Sequence, residues 1–154
     1  MGETIEKRLN ELGVALPAAA APAANYVPFM RTGNLVFTAG QLPLRDGKLQ
    51  VTGLLGRDVD TAAGKEAAKL CAINILAQAK AAIGDLDKIR RLVKITVFVA
   101  SAPDFTEQHL VANGASDFLV EVLGEPGKHA RAAVGTASLP LNAAVEIEAV
   151  IEVA

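Results

Sequence analysis

The sequence predicts an α+β fold in which two helices pack on one face of a mixed β-sheet. Three observations support this prediction. Two long helical patterns each end at a glycine, a run of β-branched residues lies between them, and shorter strand patterns flank the pair on both sides. The order strand, strand, helix, strand, helix, strand, strand within 154 residues fits one domain of ordinary size.

The N-terminal region predicts a short amphipathic helix followed by an extended arm. Three apolar residues recur there at helical spacing, namely Ile5, Leu9 and Leu12. Gly13 is expected to end this helix. The segment LPAAAAPAA, Leu16 to Ala24, contains two prolines that oppose a continuous helix and favour a semi-extended tether. We therefore expect an N-terminal helix and Ala/Pro-rich arm over residues 1–25 and a single domain over residues 26–154.

Two short strands are predicted before the first long helix. NLVFTA, Asn34 to Ala39, is rich in β-forming residues and follows a Gly33-Asn34 turn. Asp46-Gly47 is a typical hairpin turn and leads to a second short strand near Lys48 to Val51.

Two helices and a strand between them occupy the middle of the chain. The longest helical pattern extends from Asp60 to Ile83, with Asp60 or Thr61 as its N-cap and Gly84 at its end. IRRLVKITVFVA, Ile89 to Ala100, predicts a central strand. A second helix is expected to open at Pro103 and to continue to about Leu123.

Two further strands, Ala130 to Leu139 and Ala143 to Val153, are predicted to form a tight hairpin near Leu141-Asn142. The second strand has one apolar side, formed by Val145, Ile147, Ala149, Ile151 and Val153. Its other side is acidic, with Glu146, Glu148 and Glu152. If helices cover one face of the sheet, the other face is a candidate subunit interface, because large exposed apolar patches are rare on monomers. We therefore predict a homo-oligomer.

Composition argues against several classes of partner. The net charge is −2, tryptophan is absent and Tyr26 is the only tyrosine, so nothing indicates a nucleic-acid partner. No apolar run approaches the ~20 residues that cross a bilayer, and the acidic N-terminus lacks secretory features, so we expect a cytoplasmic protein with no membrane partner. Cys71 is the only cysteine, which excludes an intrachain disulfide and indicates a small buried hydrophobic residue. No metal-ligand spacing occurs.

Arg131 is the first candidate for a ligand-binding residue. In an extended segment it shares its face with three small residues, Ala133, Gly135 and Ala137. A guanidinium beside unfilled space suits a small carboxylate, which it can bind through two parallel hydrogen bonds. The alternative is an edge-strand arginine that is solvated or paired with a surface glutamate.

Glu146 is the second candidate. The predicted hairpin would place it opposite about Ala137, roughly 20 Å along the sheet from Arg131, beyond the reach of the two side chains within one chain. If both serve one pocket, they must then come from different subunits. The alternative is that Glu146 belongs to a solvated acidic face.

Three blocks of the sequence carry a family resemblance. They are TGNLVFTAGQLP (Thr32 to Pro43), VKITVFVASAPDF (Val93 to Phe105) and HARAAVGTASLPLNAAVEIEAV (His129 to Val150). In this order they resemble the reactive-intermediate deaminase family, also called YjgF-like or liver perchloric-acid-soluble endoribonuclease-like. The resemblance covers about Tyr26 to Val153. It implies a chorismate-mutase-like α+β fold assembled as a homotrimer, with three clefts between subunits.

The resemblance also implies roles for individual residues. Arg131 matches the arginine that binds the substrate carboxylate, Glu146 matches the glutamate thought to position the attacking water, and Tyr26 matches a tyrosine before the first strand. The implied reaction hydrolyses a reactive 2-imino or enamine acid to a 2-keto acid and ammonia. No metal or organic cofactor is implied, since orientation and electrostatics can supply the rate.

The chain departs from the family pattern around this predicted cleft. Ala39, beside Gly40, stands where serine is common, and Ala133 stands where cysteine is common. His109 occupies the position of a second-helix asparagine, and His129 that of a usual proline. Each histidine is either a satisfied structural side chain or, since both fall near one site, a group that takes over proton transfer. The segment VANGASDF, Val111 to Phe118, also suggests a branch with its own ligand.

The leading hypothesis is a deaminase-type hydrolase that acts on small imino acids. The predicted catalytic residues are Glu146, Tyr26 and His109. The predicted substrate-binding residues are Arg131, His129, Ala39, Gly40 and Ala133. Two alternatives remain open, a non-catalytic module that binds keto acids or other small metabolites, and an interaction protein whose cleft is vestigial.

Overall fold

The structure is a computed structural model that describes residues 4–21 and 24–154, so Pro22 of the predicted arm lies outside the described residues. Three α-helices occur in the described part, α1 (Thr4–Glu11), α2 (Thr61–Ile83) and α3 (Gln108–Leu123). Its strands are β1 (Phe29–Thr32), β2 (Leu35–Thr38), β3 (Leu44–Arg45), β4 (Lys48–Leu49), β5 (Ile89–Ala100), β6 (Ala130–Thr136) and β7 (Val145–Val153). The predicted mixed α+β fold is confirmed.

The main sheet has the strand order β1-β2-β7-β5-β6, in which β6 is parallel to β5 and the other neighbours are antiparallel. The central position predicted for β5 is therefore confirmed. Its residues Ile95, Val97 and Val99 are fully buried in one core with α2 and α3. Alternate residues of each strand thus face the helical layer, and the residues between them lie on the opposite, open face.

The predicted hairpin between the last two strands is wrong, because β5 lies between β6 and β7. The parallel pairing of β5 with β6 requires a crossover connection, which α3 supplies. A short turn at Pro140–Asn142 then carries the chain past β5, where β7 pairs with both β5 and β2. Hydrophobic alternation located both strands, but it contains no information about which strand lies beside which.

Local sequence signals predicted the ends of α2 correctly but not the start of α3. Asp60 caps α2 as predicted, since its Oδ1 accepts from the Ala63 amide at 2.8 Å, and Gly84 ends this helix with a φ of 79°. Helix α3 instead begins at Gln108, later than the predicted Pro103. The Ala102 amide is bound to the Leu55 carbonyl at 2.9 Å, which holds the following residues in a turn.

The region before α2 contains two strands more than predicted, β1 and β3. β1 pairs with β2 through the two-residue loop Gly33-Asn34, so this turn closes a hairpin. The predicted Asp46-Gly47 hairpin is confirmed, but its strands β3 and β4 form a separate two-stranded sheet. Cys71 is fully buried, as predicted.

Helix α1 packs against the rest of the fold. Leu9 is buried in the common core, and the backbone amides of Thr4 and Ile5 donate to the Asp87 carboxylate at 3.0 Å each. The pKa of Asp87 is held below its usual value, first by the hydrogen bond from Ile5. Further along the arm, the buried amide of Gln78 donates to the Ala20 carbonyl at 2.9 Å.

The open face of the sheet exposes apolar side chains. Met30 pairs with Phe37 across β1 and β2, and Val134 pairs with Phe98 across β6 and β5. Met30, Phe37 and Val134 are all more than 40% exposed. Glu146 lies on this same face, in register with Phe98. The face is therefore mixed, with apolar residues toward both edges and carboxylates near its centre.

Candidate active site

Arg131 lies on the edge strand β6, in register with Ile95 of β5. Paired residues of neighbouring strands point to the same side of a sheet, and Ile95 is buried under the helices. Arg131 therefore faces the helical layer, where its side chain is half-buried against α3.

Three neutral groups of α3 hold the guanidinium. Nη1 donates to Asn113 Oδ1 at 2.8 Å and to Ser116 Oγ at 3.2 Å, and Nη2 donates to the His109 carbonyl at 3.3 Å. No carboxylate of residues 4–21 and 24–154 forms an ion pair with Arg131. Since arginine has five N–H donors, Nε–H and one Nη2–H remain without a partner in the described chain. An Nε–H and an Nη2–H of one guanidinium can together bind the two oxygens of a carboxylate.

Sequence reasoning missed Asn113 and Ser116. Both contact Arg131, and with His109 they follow the spacing i, i+4 and i+7, which places them on one face of α3. The neighbouring Gly114 lies against α2, where an added Cβ would approach the Lys65 carbonyl oxygen to 2.1 Å. The signal that could have identified Asn113 and Ser116 was the recurrence of polar residues at helical spacing in the segment Val111 to Phe118.

The two histidines occupy different positions relative to Arg131. His109 has an exposed side chain and contributes its backbone carbonyl. The His129 ring is half-buried, with Nε2 2.8 Å from Ser116 Oγ and Nδ1 2.6 Å from the Gly127 carbonyl oxygen. A shallow depression of about 240 Å³ opens beside this cluster, lined by Ser116, Val120, Lys128, His129 and Arg131.

Glu146 lies on β7, on the open face, and its carboxylate passes directly over Gly40. A Cβ added at Gly40 would be 2.0 Å from Glu146 Oε2. The segment that carries Gly40 is held against β7 by paired hydrogen bonds between Gln41 and Ile147. Burial, and to a smaller extent the charge of Glu148, raise the pKa of Glu146 above its usual value. A carboxylate with a raised pKa is better suited to accept a proton near neutral pH.

The remaining predicted residues divide between these two places. Ala133 lies on the Arg131 side of β6, where it packs against the core, and Ala39 is next to Gly40. Tyr26 lies just before β1, and about half of its surface is exposed. Arg131 is thus brought together with His129 and Ala133, while Glu146 is brought together with Gly40.

Arg131 and Glu146 are not brought together within one chain. Their partners on β5, Ile95 and Phe98, are three residues apart, and two strand spacings separate β6 from β7. Their Cα atoms are therefore roughly 14 Å apart, with the side chains on opposite faces of the sheet. The sequence argument also concluded that the two side chains do not meet within one chain, but from a separation of roughly 20 Å in a hairpin that does not exist. The opposed faces supply the correct reason.

The described residues contain neither a cluster of metal ligands nor a helix that could span a membrane. No group of three or more His, Cys, Asp or Glu side chains is placed to hold a metal ion in ranges 4–21 and 24–154. Over the same ranges, none of the helices combines the length and apolar character of a membrane span.

Comparison with known proteins identifies a family and a similar relative. A family model described as "YjgF/chorismate mutase-like, putative endoribonuclease" matches residues 6–153. Protein TCP17 of Trypanosoma cruzi is 50% identical over 149 residues, which cover 96% of this chain and 93% of that protein.

Solved structures extend the comparison. A protein of unknown function from Agrobacterium tumefaciens is 62% identical, with a TM-score of 0.94, over 99% of this chain and 94% of that one. Escherichia coli TdcF, solved with bound serine, is 25% identical, with a TM-score of 0.65, over 88% of this chain and 94% of that one.

Proposed function

The chain belongs to the YjgF/chorismate mutase-like family, and from this membership we propose that it is a deaminase-type hydrolase for small 2-imino or enamine acids. The family resemblance read from the sequence is confirmed by the same match. Membership supports a deaminase-like or small-molecule-binding role in general. The proposed reaction adds water to the imine carbon and releases ammonia, which leaves a 2-keto acid.

The observation that carries the proposal is the free hydrogen-bonding edge of Arg131. Its Nη1 is fixed by Asn113 and Ser116, while Nε–H and one Nη2–H have no partner in the described chain. A half-buried guanidinium without a carboxylate partner favours an anionic ligand, and the fixed fork favours a carboxylate. The serine bound by TdcF is a small molecule with a carboxylate group, which supports a small carboxylate-bearing ligand here.

Glu146 is the residue we propose to act on water. Its raised pKa suits a base that accepts a proton as water attacks the imine carbon. The proton then passes to the leaving nitrogen, so that ammonia departs and the carboxylate is restored. Gly40 leaves room for this carboxylate, because any side chain there would displace it. Tyr26 and His109 remain proposed participants in proton transfer.

We propose that the complete site forms between copies of the chain, in a homotrimer. Within one chain the clamp and the base lie on opposite faces of the sheet, so a ligand held by Arg131 can meet only the Glu146 of another copy. The exposed apolar residues on the open face give the second copy a surface to cover. Light scattering on purified protein measures the oligomeric mass directly.

The decisive experiment assays ammonia and 2-oxobutanoate release from freshly generated 2-iminobutanoate. We expect Arg131→Gln to remove the accelerated reaction, whereas the matched control Arg31→Gln should retain it. Arg31 is exposed and donates only to backbone carbonyls of Gly33 and Ala154. If Arg131→Gln hydrolyses the imine as fast as the unmodified protein, Arg131 does not bind the substrate carboxylate as proposed.

A mixing experiment tests the shared site. Arg131→Gln and Glu146→Gln chains should each lose most of the activity when expressed alone. When they are co-expressed, some clefts combine an intact Arg131 with an intact Glu146 from another chain, so part of the activity should return. If a verified mixed assembly recovers no activity, Arg131 and Glu146 do not act in a common cleft.

A second candidate function is binding without catalysis, as in a sensor of keto acids or other small metabolites. It is favoured by Ala39 and Ala133, which bring no polar group to either part of the site. This function predicts that 2-oxobutanoate raises the melting temperature in an Arg131-dependent manner. It also predicts that the imine is hydrolysed at the spontaneous rate.

A further inference from the structure

Ser116 and His129 form a chain of hydrogen bonds behind Arg131. The positions of the protons in this chain follow from the groups at its two ends. Arginine can only donate, so Ser116 Oγ accepts from Nη1 at 3.2 Å. The Gly127 carbonyl can only accept, so His129 donates to it from Nδ1 at 2.6 Å. In the neutral ring Nε2 then carries no proton and accepts the Ser116 hydroxyl at 2.8 Å.

This chain of hydrogen bonds changes when His129 gains a proton. Nε2 becomes a donor to Ser116 Oγ, so the serine hydroxyl must release the ring and can turn elsewhere. The change also places a second positive charge one hydroxyl away from the guanidinium. Any anion held by Arg131 would be attracted by both charges, and its own charge would in turn favour the protonated ring.

No carboxylate of the described residues lines the depression that His129 shares with Arg131. The charged residues lining the same depression are Lys128 and Arg131. Glu125 forms an ion pair with Lys128 at 2.9 Å. The acidic residues of α3, Asp117 and Glu121, are exposed and do not line the depression.

A serine bonded to a histidine that is itself oriented by a third group also resembles a nucleophile and its base. Two features of Ser116 argue against that role. Its oxygen accepts a hydrogen bond from a guanidinium, which withdraws electron density from the atom that would attack. It also lies in the middle of α3, half-buried among its own helical neighbours.

We propose that Ser116 and His129 are positioning residues that link carboxylate binding at Arg131 to proton uptake at His129. The proposal rests on the proposed function of Arg131 as the carboxylate clamp. Ser116 keeps its lone pair toward the guanidinium while the ring is neutral, and the ligand draws a proton onto the ring when it binds. Small carboxylates consequently bind more tightly to the protein in which His129 is protonated.

The test is a proton NMR titration of the two histidine rings between about pH 5 and 8, the interval in which histidine side chains change charge. The chain has two histidines, so a His109→Gln variant assigns both signals. The titration is run with and without saturating 2-oxobutanoate. We expect the ligand to raise the midpoint of the His129 signal by about half a unit or more. By linkage, affinity for 2-oxobutanoate should rise about threefold or more from pH 8 to pH 5.5.

Variants separate the coupling from simple structural support. Ser116→Thr retains the hydroxyl and should keep the midpoint shift, whereas Ser116→Ala should bind 2-oxobutanoate with a smaller shift. His129→Gln retains a hydrogen-bonding side chain but no titration, so its affinity should lose the pH dependence seen between pH 8 and pH 5.5.

The outcomes distinguish the two proposals. If 2-oxobutanoate binds in an Arg131-dependent manner and the His129 midpoint stays where it was, the coupling is refuted while the clamp stands. If 2-oxobutanoate does not bind at any pH, both are refuted. A shift that persists unchanged in Ser116→Ala would assign the effect to direct electrostatics and overturn the role of the serine. The comparison of unmodified protein with and without ligand needs no variant to fold.

Discussion

Replacing Gly40 by alanine should displace the carboxylate of Glu146 without unfolding the protein. An added Cβ would lie 2.0 Å from Oε2, 2.8 Å from Cδ and 3.0 Å from Cγ of Glu146. Ordinary contact begins at 3.4 Å, so Oε2 must retreat by about 1.4 Å. The backbone of Gly40 does not require glycine, because its φ lies outside the left-handed region.

The size of the effect differs between activity and stability. The atoms that clash are the end of a flexible, half-exposed side chain, so the free energy of unfolding should change by no more than about 1 kcal/mol. A displacement of about 1 Å in a catalytic group can lower the rate about 100-fold. We therefore expect Gly40→Ala to melt near the normal temperature and to lose about 100-fold in kcat.

The assay is release of 2-oxobutanoate from 2-iminobutanoate, combined with a double-mutant cycle. Glu146→Ala removes the group that Gly40 accommodates. If Gly40 acts only through that carboxylate, Gly40→Ala should cost nothing further in the Glu146→Ala background. An undiminished kcat in the single variant, or a full additional loss in the double variant, would refute the reasoning.

Three further predictions concern the helices. Gly114→Ala should destabilise the protein by about 1–3 kcal/mol in urea unfolding, because the added Cβ would lie 2.1 Å from the rigid Lys65 carbonyl oxygen. This clash outweighs the better helix propensity of alanine. Asp87→Ala should cost about 1 kcal/mol at pH 7 by uncapping α1. Because the folded-state pKa of Asp87 lies below 3.8, that stabilisation is present above this value and lost as the pH falls through the lowered pKa, so the two proteins should converge in acid. Asn113→Ala should weaken 2-oxobutanoate binding about tenfold in calorimetry, and Asn113→Asp should weaken it more by pairing with Arg131.

Much of the fold could be predicted from local patterns. The bounds of β5 and α2 match the prediction because a β-branched run, an Asp60 cap and a terminal Gly84 are signals that act within a few residues. The strand β1 escaped notice because FMRT is only four residues long and lacks clear alternation. The start of α3 was placed too early because a distant backbone contact from Leu55 holds the segment after Ala102.

The candidate site was only partly accessible to sequence reasoning. Arg131 was identified as a candidate by its small neighbours along a strand, and in the structure its guanidinium donates hydrogen bonds to Asn113 and Ser116. Asn113 and Ser116 were missed because their relation to Arg131 depends on how α3 crosses β6. The contact of Gly40 with Glu146 was equally hidden, since it joins residues more than one hundred positions apart.

The sequence by itself determined most of the secondary structure, the family and the choice of Arg131 as a candidate, because each of these depends on residues close together in the chain or on a recognisable order of blocks. Only the tertiary structure decided the strand order, and with it the faces on which Arg131 and Glu146 lie. The reason is physical. Alternation specifies that a strand has two different sides, but which side meets the helices, and which strand lies between two others, is settled by the packing of the whole core.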